Sequence, residues 1–181
     1  MYNSGMKRPF RHKNIRLPLD RYVGTGWFFV TFCCEGRKRI FLDSFRGQWF
    51  LDNVRQYAIL HGVAAHAYCI MPDHVHLLME GLTASSNLLR FLTDLKQRTG
   101  FVYKQETREQ LWQKKSYDHA LRSSDAPELV AWYIWMNPVR AGLCVQINDY
   151  PWSGSFTGAG PRLAPPQEAW VPPWRSQGAP I

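Results

Sequence analysis

Two histidines one residue apart, His74 and His76, are the most concentrated chemical signal in the chain. They lie in the run Tyr68-Cys69-Ile70-Met71-Pro72-Asp73-His74-Val75-His76-Leu77-Leu78-Met79-Glu80. Its apolar ends and the Pro-Asp interruption predict two short strands joined by a tight turn. Alternate strand residues face opposite ways, so His74, His76 and Leu78 share one face while Val75, Leu77 and Met79 share the other. Two imidazoles side by side make half of a metal site, because two protein ligands seldom hold a catalytic metal and a third donor must come from elsewhere. A hydrogen-bonded histidine pair with no metal is the plainer alternative.

A later helix offers further donors. Tyr133 and Asn137 stand at i and i+4, on one face and one turn apart, and Pro138 must end or kink the helix there. On spacing alone, a core tyrosine followed by an Asn-Pro helix stop that Gly142 closes explains the same residues. The His-x-Glu and Pro-Cys-x-x-Cys partners of a zinc deaminase are missing, as are phosphate-loop and dinucleotide-binding glycine patterns. Cys33, Cys34, Cys69 and Cys144 show no C-x-x-C spacing and read as reduced core residues.

The elements that must position these groups follow from pattern. Trp27 to Cys34 is aromatic and β-branched throughout, as a strand covered on both faces would be. Asp43 or Ser44 caps a helix that runs to about His61, with Phe50, Val54, Tyr57 and Ala58 on one side and Gly62 after its end. The second and third strands span roughly Ala64 to Met71 and His74 to Glu80. Ser85 or Ser86 starts a helix with Leu88, Phe91, Leu92 and Leu95 inside, fraying near Gly100. Tyr117 to Arg122 reads as a fourth strand, and Ser124 or Asp125 caps a last helix through Met136.

This order predicts an α+β protein with a ferredoxin-like βαββαβ antiparallel sheet and an additional C-terminal helix carrying the tyrosine. In that topology the first and third strands are central, which puts His74 and His76 mid-sheet, opposite the two crossover helices. The 181 residues suit one domain with tails: a basic arm over 1–24, a folded unit over 25–156 and a Pro/Gly-rich tail over 157–181, pinned by Trp170 or Trp174.

The formal charge of +8 implies an anionic partner, and Arg8, Arg11 and Lys13 belong to a basic cluster in the N-terminal arm. No run is apolar enough for a signal core or a membrane span, so the expectation is a cytoplasmic protein with no membrane partner.

Pro72-Asp73-His74-Val75-His76-Leu77-Leu78, together with Tyr133-Ile134-Trp135-Met136-Asn137-Pro138-Val139-Arg140-Ala141-Gly142-Leu143 and Tyr150-Pro151-Trp152-Ser153, resembles the single-tyrosine HUH transposases, in particular the REP-associated tyrosine transposases. The resemblance covers roughly Trp27 to Ser153. It implies metal-dependent cleavage and strand transfer of single-stranded or hairpin DNA, with Tyr133 as nucleophile. His74, His76 and Asn137 would be ligands of Mg²⁺ or Mn²⁺. Relatives often carry glutamine at the last position, and an amide oxygen serves in either case. The product would be a 5′-phosphotyrosine and a free 3′-hydroxyl, with no nucleotide cofactor, in a monomer or a homodimer. Lys96, Arg98, Lys114 and Lys115 would then join the arm in binding phosphates, and Trp112, Tyr117 and His119 would stack on bases. Two other functions fit the pattern: a non-catalytic nucleic-acid-binding module, weakened by the lack of an aromatic RNP pattern, and a hydrolytic metal-dependent nuclease in which Tyr133 only packs.

Overall fold

A computed structural model describes residues 18–158, 160–161 and 166–173. Arg8, Arg11, Lys13 and Trp174 lie outside the described residues. β1 (Gly26–Cys33), β2 (Val63–Met71), β3 (His74–Gly81), β4 (Tyr117–Ala120) and the two-residue β5 (Ser153–Gly154) form one antiparallel sheet in the order β4-β1-β3-β2-β5. The helices are α1 (Ser44–Leu60), α2 (Leu88–Thr107), α3 (Pro127–Trp135) and the single turn α4 (Asn137–Arg140). β1 and β3 are the central strands, as the ferredoxin-like reading requires.

The sheet is covered on both faces, and register sorts its side chains. Phe28, Val30 and Phe32 of β1 face with Val75, Leu77 and Met79 of β3 toward α1 and α2, whose Phe50, Val54, Phe91 and Leu95 complete that core. The other face carries Phe29 and Thr31, opposite Leu78 and His76, with Ala67 and Cys69 from β2 alongside. α3 lies on this second face of its own chain's sheet, burying Val130, Tyr133, Ile134 and Trp135 against Phe29, Cys69 and Leu78. Burial of such side chains, about 25 cal/mol per Å² of apolar surface, is what fixes the helix there.

Several boundaries differ from the sequence expectation. α2 does not fray at Gly100 but continues to Thr107 and stops where Arg108 turns left-handed (φ 64°). The ~1 kcal/mol helix penalty of one glycine is outweighed here by a buried continuation, since Tyr103 packs in the core one turn later. Its cap is Asn87, whose Oδ1 accepts from the Arg90 amide, while Ser86 instead donates to the Gly62 carbonyl. α3 begins with Pro127 after an Ala126 cap rather than at Ser124 or Asp125. The Asp125 carboxylate is spent elsewhere, accepting from the Arg122 amide and from the Trp170 indole. β5 was unmarked in the sequence because two residues carry no period. It is held by pairing of Tyr68 with Gly154 and of Cys69 with Ser153.

Candidate active site on the helix-covered face of the sheet

His74 and His76 project together, ring centroids 4.7 Å apart, and are only 8% and 6% exposed. Each ring is held through Nδ1. The His74 Nδ1 lies 2.6 Å from Asp73 Oδ1, and the carboxylate makes that nitrogen the protonated one, leaving Nε2 with its lone pair. The His76 Nδ1 lies 2.8 Å from Thr31 Oγ1, its cross-strand neighbour, and the hydroxyl accepts in the tautomer that frees Nε2. Asp73 is itself clamped by Arg37, whose Nε is 3.0 Å from Oδ2. An Arg37–Asp73–His74 chain therefore orients the first imidazole, a carboxylate–histidine arrangement common behind metal ligands.

Burial lowers the pKa of His74, against the pull of Asp73, and lowers that of His76 further, with His74, Arg140 and Arg37 adding repulsion. Both rings are thus kept neutral, the state in which imidazole binds a metal.

Tyr133 sits on the same face through an aromatic chain. Its ring meets Phe29 edge-on at 6.1 Å, and Phe29 in turn lies 5.3 Å from His76. Trp170, from the tail, packs at 5.2 Å from Tyr133 and 5.5 Å from Phe29, and the tyrosine is 7% exposed. The expected pinning of the tail by Trp170 is what the structure shows.

The Asn-Pro-x-Arg sequence explains how α3 ends. Pro138 has no N–H to offer the Ile134 carbonyl, and the Asn137 amide nitrogen supplies the bond instead, at 3.0 Å, with a second to the Tyr133 carbonyl at 3.1 Å. Arg140 Nη2 donates to the same Tyr133 carbonyl at 2.8 Å, and its guanidinium stands 4.3 Å over the Tyr133 ring. Committing the Asn137 nitrogen to the helix leaves its oxygen as the donor atom a metal could use. Beyond Asn137 the chain turns through Gly142 (φ 68°), and Ala141 and Leu143 line a cleft together with His74. The site thus gathers the His74–His76 pair, Tyr133 and the Asn137 turn on one side of one sheet.

No cluster of three His, Cys, Asp or Glu side chains suited to a metal occurs among the described residues. Asn137 offers a neutral oxygen beside the histidine pair, and two imidazoles with an amide oxygen are a donor set that suits a divalent ion keeping several waters.

The other sequence-derived residues fare unevenly. Trp112 is a correction: it is 4% exposed, packs among Phe32, Phe41 and Phe50, and donates its indole N–H to Thr99, so it is a core residue rather than a stacking surface. Lys96 Nζ donates to the Gln113 carbonyl at 2.9 Å, tying α2 to the segment before β4. Arg98, Lys114 and Lys115 are exposed. Tyr117 is partly exposed on β4, and His119 is half-buried with Nε2 3.6 Å from Asp125 and its ring 6.5 Å from Trp170. Sequence reasoning gave no role to Arg37, Asp73, Thr31 or Arg140. Asp73, directly before the first histidine, was the one with a local signal.

A family model described as "Transposase IS200 like" matches residues 25–135. A Haemophilus influenzae protein provisionally named a REP-associated tyrosine transposase is 25% identical over 139 residues, covering 71% of this chain and 78% of its own length. A REP-associated tyrosine transposase of Escherichia coli K12 is 27% identical over 92 residues, 49% of this chain and 52% of that protein. Among solved structures, a REP-associated tyrosine transposase bound to a REP hairpin superposes with a TM-score of 0.64 at 20% identity, covering 82% of each chain.

Proposed function

Because the chain belongs to the IS200-like transposase family, we propose that it cuts and rejoins single-stranded DNA through a covalent tyrosyl intermediate, on strands that fold into hairpins. The observation that carries the reading is the packing of α3, with Tyr133, across the sheet face that bears His74 and His76. The match to a hairpin-bound relative supports the substrate class.

His74, His76 and the Asn137 oxygen would hold Mg²⁺ or Mn²⁺, and the ion supplies Lewis-acid polarisation of the scissile phosphate. The chain's own residues do the rest. A free phenol is a weak nucleophile at neutral pH, and a cation held at the histidines would assist its attack. The Arg140 guanidinium, over the Tyr133 ring and bonded to the Tyr133 carbonyl, fixes where that ring stands at the end of α3. The tyrosyl oxygen loses its proton and bonds to phosphorus as the bond from phosphorus to the 3′ oxygen breaks. That oxygen takes up a proton and leaves as a 3′-hydroxyl. Energy stays in the 5′-phosphotyrosine, so a 3′-hydroxyl of another strand reverses the step without a nucleotide cofactor.

α3 covers its own sheet, which lets one chain supply both histidines and tyrosine and supports a monomeric site. The same packing weighs against a sheet-binding RNA module, because such modules stack bases on an open sheet face.

Incubating the protein with hairpin-bearing single strands and Mn²⁺, then separating on a denaturing gel, should show a protein–DNA adduct. Tyr133→Phe should abolish it, and His74→Ala or a chelator should reduce it at least a hundredfold. Strand cleavage that survives Tyr133→Phe would instead establish water as the nucleophile.

A further inference from the structure

A cleft of about 350 Å³ opens beside His74. Its apolar lining is Met71 and Pro72 at the β2–β3 turn, and Ala141 and Leu143 from the chain that follows α4. Arg37 and Arg39 line it too, with Asp73, whose carboxylate Arg37 pairs. The arginine loop is fixed to the histidine turn by two backbone bonds, Cys34 N–H to the Asp73 carbonyl and Phe41 N–H to the Pro72 carbonyl, both 2.9 Å. Arg37 is one of two non-glycine residues with positive φ among those described (55°), a conformation that costs free energy and is kept by its bonds to Asp73 and to the Cys33 sulfur.

The two arginines differ in what they have left to offer. Arg37 is committed to Asp73, and its neighbour Lys38 to Glu109 at 2.7 Å. Arg39 makes no ion pair among the described residues, and of the two acids on its loop, Glu35 and Asp43, the second accepts from the Phe45 amide as the cap of α1. Apolar lining beside an unspent guanidinium fits a sugar or base with an attached phosphate, since nucleic-acid grooves pair apolar or aromatic surface with backbone-tracking cations. A cleft of this size lies at the small end of ligand sites, enough for one such unit rather than a duplex.

We infer that the Arg37–Arg39 cleft seats the nucleotide next to the cut on the cleaved strand, with Arg39 on its phosphate. The inference rests on the strand-transfer reading of His74 and Tyr133, because a phosphate cut at the histidines must continue into a neighbouring nucleotide. Leu143, 39% exposed, then marks where the sugar or base is covered. The cleft thereby makes the segment after Asn137 a substrate-binding element as well as a helix stop.

The test is a thermodynamic cycle on strand binding. The probe is a hairpin oligonucleotide with a single-stranded flank selected by binding from a randomised pool. Each flank phosphate is replaced in turn by an uncharged methylphosphonate, and Kd is read by fluorescence anisotropy for wild type and Arg39→Gln. The expected result is that Arg39→Gln weakens binding of the native strand about tenfold. One methylphosphonate should weaken the wild type equally and leave Arg39→Gln unaffected. Losses that simply add at every phosphate, or an Arg39→Gln protein that binds as wild type, overturn the inference. Adduct formation on the same strands separates the two readings. Coupling at one phosphate without an adduct keeps the cleft and removes the transfer chemistry. An adduct without coupling removes the cleft alone.

Discussion

Asp73 reaches the reaction only through His74, so its carboxylate should matter for how the imidazole is presented rather than for contact with DNA. Asp73→Ala removes both the Nδ1 partner and the acceptor that Arg37 holds. Loss of such an orienting group typically costs ten- to a hundredfold in metal affinity. Titrating Mn²⁺ into folded Asp73→Ala calorimetrically should show that loss; an unaltered affinity would reduce Asp73 to a turn residue. The buried histidines make a second prediction about the metal-free protein. Their folded pKa values are lowered by burial, so below about pH 6.5 the unfolded chain binds more protons than the folded one. Stability contributed by the neutral pair is therefore fully present above that pH and is lost as pH falls toward the folded values. Urea unfolding of His76→Gln between pH 7 and 5 should give a shallower loss than wild type.

The elements explain why some of this was legible in the sequence and some was not. A period of two across β3 placed His74 and His76 correctly, and the chain order alone put β1 and β3 at the centre, because local pattern and global topology agree there. Asp43 caps α1 through its bond to the Phe45 amide, as its type and place suggested. The end of α2 and the start of α3 were misjudged because tertiary partners decided them: a buried Tyr103 carries one helix past Gly100, and Trp170 competes for Asp125. Trp112 could not be told from a stacking residue, since an indole reads the same in a core as on a surface. The histidine pair was visible as spacing, whereas its supports, Thr31 and Arg37, lie on other elements and gave no signal. Gly81 was readable only as the residue that breaks β3. In the structure a Cβ there would drive into the Gly24 carbonyl oxygen, a backbone atom that cannot yield without moving β1's lead-in. Gly81→Ala should cost more than about 2 kcal/mol in urea unfolding, whereas Gly142→Ala, with open space around it, should cost only its left-handed conformation, about 1 kcal/mol.

At the scale of the molecule, the +8 charge must be reconciled with a site whose own cations are largely committed to protein groups. Arg140 serves the end of α3 and Arg37 serves Asp73, so apart from Arg39 the long-range attraction falls to cations outside the site. Lys114 and Lys115 are exposed immediately before β4, and Lys96, Lys104 and Lys114 line a second cleft of about 440 Å³ between α2 and that segment. This cleft lies at the end of the sheet where β1 finishes, since Gln113 N–H bonds the Cys33 carbonyl and Cys33 pairs with His74. The cleft belongs to the α2 side of the sheet, so a strand passing from these lysines to the histidine site would round the end of β1. Each lysine that neutralises a phosphate releases counterions, so the slope of log K against log salt reports how many are used, at about 0.7 per contact on a single strand. Lys114→Gln/Lys115→Gln should weaken binding at low salt, flatten that slope by roughly 1.4 if both touch phosphate, and leave the rate of adduct formation at saturating DNA unchanged. A slope identical to wild type would move the DNA path off this end of the sheet and leave the charge excess to other basic residues.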